Sequence, residues 1–138
     1  MTVGLRLPAA WQTQLRALAD AAYPAEACGL ILGRPGVADQ LVPCANVAAE
    51  PHRHFEVDPA EIFRCYKAVR GTGRAVLAVY HSHPQGPARP SATDAGRAWD
   101  KELLWLLIDG GGGRAGAISG WRPTGDGFAP AELTWEET

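Results

Sequence analysis

Cysteine is scarce in this sequence: Cys28, Cys44 and Cys65 are odd in number, widely spaced and include no C-x-x-C. A disulfide framework and a cysteine-ligated zinc site are therefore not expected, and a reducing cytoplasm fits best. An excess of charge is missing as well. The 13 Lys+Arg and 15 Asp+Glu leave a formal net charge of −2 and a pI near 6.1, with no basic cluster. Nucleic acid is thus not an expected partner. The longest strongly apolar runs, such as Leu103 to Ile108, are far shorter than the roughly 20 residues a membrane helix needs. The first twenty residues lack the continuous apolar segment of a secretory signal. These absences predict a soluble, unexported, cytoplasmic protein with no membrane partner.

What remains is an ordinary globular composition, 46% hydrophobic and 20% charged over 138 residues. A chain near this length buries about 68–70% of its unfolded surface, so one domain over residues 1–138 needs no metal staple. A metal, if bound, is then functional rather than structural. Sixteen glycines and eleven prolines imply many turns.

Along the chain, Leu5 and Leu7 alternate with polar neighbours as a short strand, and Pro8 sits where a first helical turn tolerates it. Trp11, Leu15, Leu18, Ala19 and Ala22 then form one helical stripe that Tyr23-Pro24 ends. Residues 26–33 and 39–43 read as a hairpin around Arg34-Pro35-Gly36, followed by an irregular loop over 44–53 and a short strand at Phe55–Val57. Asp58 is a plausible N-cap for a helix opening at Pro59, with Ile62, Phe63, Tyr66 and Val69 as its buried stripe and Gly71 and Gly73 at its end. AVLAVY, residues 75–80, is an unbroken apolar run and predicts a central strand covered on both faces. Prolines and a glycine exclude regular structure from His81 until Ser91, which caps a short helix from Ala92. Strands at Leu103–Ile108, Ala115–Trp121 and Phe128–Trp135 complete a mixed sheet flanked by helices, an α/β (α+β) class.

The informative segment is His81-Ser82-His83-Pro84 followed by Ser91-Ala92-Thr93-Asp94. Residues two apart on an extended chain point to one side, so both imidazoles can reach a single ion, and Pro84 keeps His83 extended. Asp94 falls in the first turn of the helix that Ser91 would cap, where its carboxylate can be aimed back at the strand. Two histidines and one carboxylate leave a fourth tetrahedral position for water, as in catalytic zinc sites. Taken singly, each residue has a plainer reading as a surface or core histidine, a helix-start charge or an N-cap. The combination H-x-H-P, six residues, then S-x-x-D has a chance occurrence on the order of one in 10⁵. Such a metal still needs a proton carrier, and Glu26, directly before an apolar run, is the candidate general base.

Glu26 in E-x-C-G-L, with His81-x-His83-Pro84 and Pro90-Ser91-x-x-Asp94, resembles the JAMM (MPN+) zinc metalloproteases over about residues 3–122. The resemblance implies one zinc ion per chain held by His81, His83 and Asp94, acid/base work by Glu26, and stabilisation of the oxyanion by Ser91. It also implies that family's curved mixed sheet between helices, similar to the cytidine-deaminase architecture. Deaminase chemistry itself wants H-x-E with P-C-x-x-C, and neither occurs. The chain looks like the minimal bacterial form, similar to the CysO-cysteine peptidase. The expected substrate is accordingly a ubiquitin-like sulfur-carrier protein cut after its C-terminal Gly-Gly, as a cysteine adduct or a carrier precursor, through a peptide or isopeptide bond. A tail without side chains can lie extended in a narrow groove and pair through its main chain. The alternatives are a non-catalytic MPN-type scaffold domain and a peptidase acting on other small peptides, including cell-wall or phage-associated ones. The oligomeric state is left open.

Other features are discounted. His52-Arg53-His54 repeats the H-x-H spacing but lies in a polar loop without a carboxylate at usable spacing, so a substrate-loop or surface role is expected. Cys28 lies inside an apolar run and reads as packing rather than a nucleophile. Arg89 reads as solvated charge, with a substrate carboxylate as the sharper possibility. Gly110 to Gly113 lacks the lysine of a phosphate loop and reads as a turn, and Trp105 is a core candidate.

Overall fold

A computed structural model describes residues 4–92, 94 and 102–137. Seven strands and two helices are defined among them. In chain order these are β1 (Gly4–Pro8), α1 (Trp11–Ala22), β2 (Cys28–Arg34), β3 (Val37–Cys44), α2 (Pro59–Val69), β4 (Ala75–His83), β5 (Leu104–Asp109), β6 (Ile118–Pro123) and β7 (Phe128–Glu136). Their spatial order is β1-β3-β2-β4-β5-β6-β7, and the sheet closes on itself because β1 pairs with both β3 and β7. Pairing is mixed. Strands β1 and β3, β1 and β7, and β4 and β5 run parallel, and the other neighbours run antiparallel.

The alternation expected of strands divides the core in two. Leu104, Leu106 and Ile108 of β5 face a cluster with Leu5, Leu7 and the α1 residues Trp11, Leu15 and Ala19. Trp105 and Leu107 face the opposite cluster, built with Leu30, Leu32, Phe55, Cys65 and Val69 on the α2 side. Trp105 is thus core, as expected. β4 lies between β2 and β5 and is covered on both faces, which is why AVLAVY carries no polar alternation. Its register against β2 shifts between Ile31↔Ala78 and Leu32↔Val76, placing an extra residue, Leu77, on β4.

Several local expectations need correction. Pro8 ends β1 instead of opening α1, which starts at Trp11. Phe55–Val57 is not a strand; Val57 makes an isolated bridge to Asn46. In α2 the buried face is Cys65 and Val69 with Ile62 and Tyr66 partly covered, while Phe63 is 65% exposed. Positions 62, 65, 66 and 69 hold the i, i+3, i+4, i+7 stripe, and Phe63 lies about 100° away from it. The Asp58 cap is present, its Oδ1 accepting from the Ala60 N–H at 2.9 Å. Most consequentially, β4 runs three residues beyond the apolar run, so His81-Ser82-His83 is strand and not loop. Ala92 and Asp94 are helical, as expected; the rest of that expected helix lies outside the described residues.

Candidate metal centre

Sheet topology brings the site together. Parallel β4 and β5 need a connection that returns along the sheet, and it leaves from the end of β4 that carries His83. Ser91 and Asp94 lie on this connection. His81 and His83, two apart on β4, project to one side. Their Nε2 atoms stand 3.1 Å apart, His83 Nε2 is 3.1 Å from Asp94 Oδ2, and His81 Nε2 is 3.3 Å from Asp94 Oδ1. Among the described residues this is the group of His, Cys, Asp or Glu side chains placed to share one ion.

Each member is held from behind. The His81 ring is fully buried, stacked on Phe55 at 4.1 Å between centroids and set edge-on to Trp105 at 5.2 Å. His83 Nδ1 lies 2.8 Å from the Pro87 carbonyl, which fixes the proton on Nδ1 and leaves the Nε2 lone pair for a ligand. Asp94 and Ser91 form a reciprocal capping pair: the Ser91 N–H donates to Asp94 Oδ2 at 2.8 Å and the Asp94 N–H to Ser91 Oγ at 3.1 Å. The S-x-x-D spacing therefore does two jobs, starting the helix and aiming the carboxylate.

The charge states follow from these contacts. Burial opposes ionisation of Asp94, but the two imidazoles and the Ser91 N–H outweigh it and hold the carboxyl far below the usual range. Burial pushes His81 down despite Asp94. For His83 burial acts in the same sense, yet Asp94, the Pro87 carbonyl and the Glu26 charge together push it up.

Glu26 is 6% exposed, just ahead of β2. Cys28 pairs with His81, and the Ser82 N–H donates to the Ala27 carbonyl at 3.0 Å while Ser82 Oγ accepts from the Ala27 N–H at 2.8 Å. Continued by two residues, this antiparallel register sets Glu26 level with His83, in accord with the charge it exerts there. His81, His83 and Asp94 thus converge at one end of β4, with Ser91 bonded to Asp94 and exposed on the rim and Glu26 level with His83 in the register. The second pair does not join them: His52 is exposed, and His54 Nε2 lies 3.7 Å from Glu50 Oε1. Cys28 is buried, and burial, then Cys44 and Glu26, push its thiol up to about 12, as suits inert packing.

Sequence reasoning missed the supports. Asn46 gives Nδ2 hydrogen bonds to the carbonyls of Glu26 and His54, both at 3.0 Å, and its Oδ1 accepts from the N–H groups of Ala48 and Glu56. It ties the 45–57 loop to the start of β2. Gly29, adjacent to Cys28, leaves room for the ring of Tyr80, since a Cβ there would meet it at 2.4 Å. An asparagine after a strand was a visible loop signal; Phe55 had none.

The donor set fits zinc. Vertices of a tetrahedron with bonds of ~2.0–2.1 Å lie about 3.3 Å apart, close to the 3.1–3.3 Å among these three atoms. Two imidazole nitrogens and a buried carboxylate converging on one point, with a cleft beside them, define a class: a mixed-sheet domain with a candidate metal centre at the end of its central strand.

Residues 8–123 match the model of a family described as prokaryotic homologs of the JAB domain, and the chain belongs to that family, the minimal prokaryotic JAMM/MPN proteins. It is 35% identical over 115 residues to the desampylase of Haloferax volcanii, covering 82% of this chain and 80% of that protein. It is 38% identical over 84 residues to the probable TtuB-protein conjugate cleaving protease of Thermus thermophilus, covering 61% of this chain and 53% of the relative, about half its length. The CysO-cysteine peptidase of Mycobacterium tuberculosis is 27% identical over 88 residues, 62% of this chain and 60% of that one. A solution structure of a Desulfitobacterium hafniense protein superposes with a TM-score of 0.83 at 32% identity, covering 97% of this chain and 94% of that one. A JAB1/MPN domain protein of Archaeoglobus fulgidus shares the fold, with a TM-score of 0.61 at 16% identity and coverage of 95% and 98%. Among the described residues no helix is long and apolar enough to cross a membrane.

Proposed function

We propose that the chain is a zinc-dependent peptidase that hydrolyses the bond following the C-terminal Gly-Gly of a ubiquitin-like carrier protein. The observation that carries this reading is the His81, His83 and Asp94 triad, with donor atoms 3.1–3.3 Å apart and Glu26 level with His83. The names of the relatives, a desampylase, a conjugate-cleaving protease and a CysO-cysteine peptidase, support hydrolysis and point to conjugates of small proteins.

His81, His83 and Asp94 would hold the ion. Bound zinc would supply a Lewis acid and bring the pKa of a coordinated water to about 7. Glu26 then takes the proton of the attacking water and returns it to the departing amine; its burial beside β4 keeps that carboxylate in place. Ser91 Oγ accepts from the Asp94 N–H, so its own hydroxyl proton is free to donate to the carbonyl oxygen as negative charge develops there. The buried stack of His81 on Phe55 and the His83 bond to Pro87 fix both rings before substrate arrives.

The test is a carrier ending in Gly-Gly and extended by one residue, incubated with zinc-loaded protein and analysed by mass spectrometry. Cleavage after Gly-Gly is expected, and Glu26→Gln should keep its zinc while losing about 10²–10⁴ in rate. Near-normal turnover by Glu26→Gln would remove the role given to that residue.

A further inference from the structure

Beside His83 and Ser91 opens a cleft of about 290 Å³ whose walls also carry Arg53 and Arg89. Among the described residues no carboxylate lines it. Three other arginines are ion-paired: Arg6 with Glu136, Arg64 with Glu61 and Arg74 with Asp39, at 2.5–2.6 Å. Neither Arg53 nor Arg89 has an ion-pair partner among the described residues. Two arginines thus line one cleft in a chain whose net charge is −2.

Both arginines are carried by backbone that is tied to the site itself. Next to Arg53, the Pro51 carbonyl accepts from the Glu26 N–H at 2.8 Å and the His54 carbonyl from Asn46 Nδ2 at 3.0 Å. Next to Arg89, the Ala88 carbonyl accepts from Ser119 Oγ and Trp121 Nε1, while the Pro87 carbonyl bonds His83. The bases of these two long side chains are therefore fixed relative to Glu26 and His83, and only their charged ends are free to close on a ligand. Guanidinium is the donor suited to a carboxylate, which it meets through two parallel N–H bonds.

We propose that Arg53 and Arg89 form a subsite for the free α-carboxylate of the leaving residue, so that the chain removes a C-terminal amino acid next to Gly-Gly rather than freeing a lysine side chain from an isopeptide bond. This rests on the peptidase reading. The cleft has room for one or two residues and not for a folded partner, which suits the carboxylate at a chain end. Hydrolysis breaks the Gly–X amide. Water supplies the hydroxyl of the new glycine carboxylate and the proton of the departing amine, and X leaves with its own carboxylate still held by the two arginines.

The experiment uses Glu26→Gln protein loaded with zinc and three peptides in a calorimeter: Gly-Gly-Ala as the free acid, Gly-Gly-Ala as the C-terminal amide, and Gly-Gly-Asp as the C-terminal amide. The free acid should bind at least tenfold tighter than either amide. Arg53→Gln and Arg89→Gln, each added to that background, should erase the preference while leaving affinity for the alanine amide unchanged, and lysine at either position should restore part of it. Equal affinity for acid and amide, no binding of any peptide, or a preference that survives both glutamines would overturn the subsite. Tight binding of the aspartyl amide would overturn its assignment to a terminal carboxylate. Turnover by the unsubstituted chain separates the two ideas. Arginine-dependent binding without hydrolysis retains the subsite and removes the peptidase reading, whereas equal hydrolysis of acid and amide does the reverse.

Discussion

Two segments of this protein carry the same His-x-His spacing, and only one of them gathers its nitrogens. His81 and His83 belong to β4, where extended backbone returns every second side chain to the same face and β2 and β5 hold the strand on both sides. His52 and His54 sit at a turn whose carbonyls and amides are tied by Asn46, so successive residues do not alternate. The first pair also receives Asp94 from the connection that follows its strand, whereas the carboxylate near the second among the described residues is Glu50, 3.7 Å from His54. Spacing thus becomes a ligand set when the backbone is extended and a third donor is delivered to the same end.

The largest effect that sharpens this contrast is on metal and turnover. Asp94→Ala or His83→Ala should abolish zinc retention and cut the rate by more than about 10³, measured by elemental analysis and peptide cleavage. His52→Ala and His54→Ala should leave zinc content as it was; zinc loss in either would erase the distinction between the pairs. Next comes Phe55→Ala, which removes a 3% exposed ring from the back of His81. It should cost about 3–5 kcal/mol in denaturant unfolding and loosen zinc as well.

Asn46→Ala should cost about 1–3 kcal/mol, because it leaves the inward-facing Glu26 and His54 carbonyls without their donor. It should also raise KM more than it lowers zinc affinity, since it frees the loop of the second pair and not the strand of the first. The smallest effect is on pH. His83 must lose a proton to ligate, and after burial is counted Asp94 and the Pro87 carbonyl push its pKa up. A raised folded value means that protonation stabilises the metal-free protein fully below about 6.5. That contribution fades as pH rises through the folded pKa. Zinc affinity, measured against a chelator, should therefore begin to fall above pH ~6.5 on acidification. An onset well below that pH would contradict the contacts assigned to His83.

The same contrast explains what could be read from the chain. The apolar run before His81, the two-residue spacing and the S-x-x-D pair all act locally, so the donor set was legible along with most strands and both helices. The position of Glu26 depends on the β2–β4 register, a pairing of residues more than fifty apart, interrupted by a bulge at Leu77. No local pattern encodes that register. Phe63 was misplaced because a short helix admits two overlapping apolar stripes, and only packing against β2 and β4 selects the one through Cys65 and Val69. Arg53 escaped notice because a charged residue in a polar loop looks solvated until the opposite wall, with Arg89, is seen.

Zinc content of the purified, zinc-equilibrated chain, set beside Asp94→Ala and His52→Ala, tests the central claim most directly. About one zinc per chain is predicted for the unsubstituted protein and for His52→Ala, with next to none for Asp94→Ala. A chain that binds no zinc, or an Asp94→Ala variant that binds as much as the parent, would contradict it.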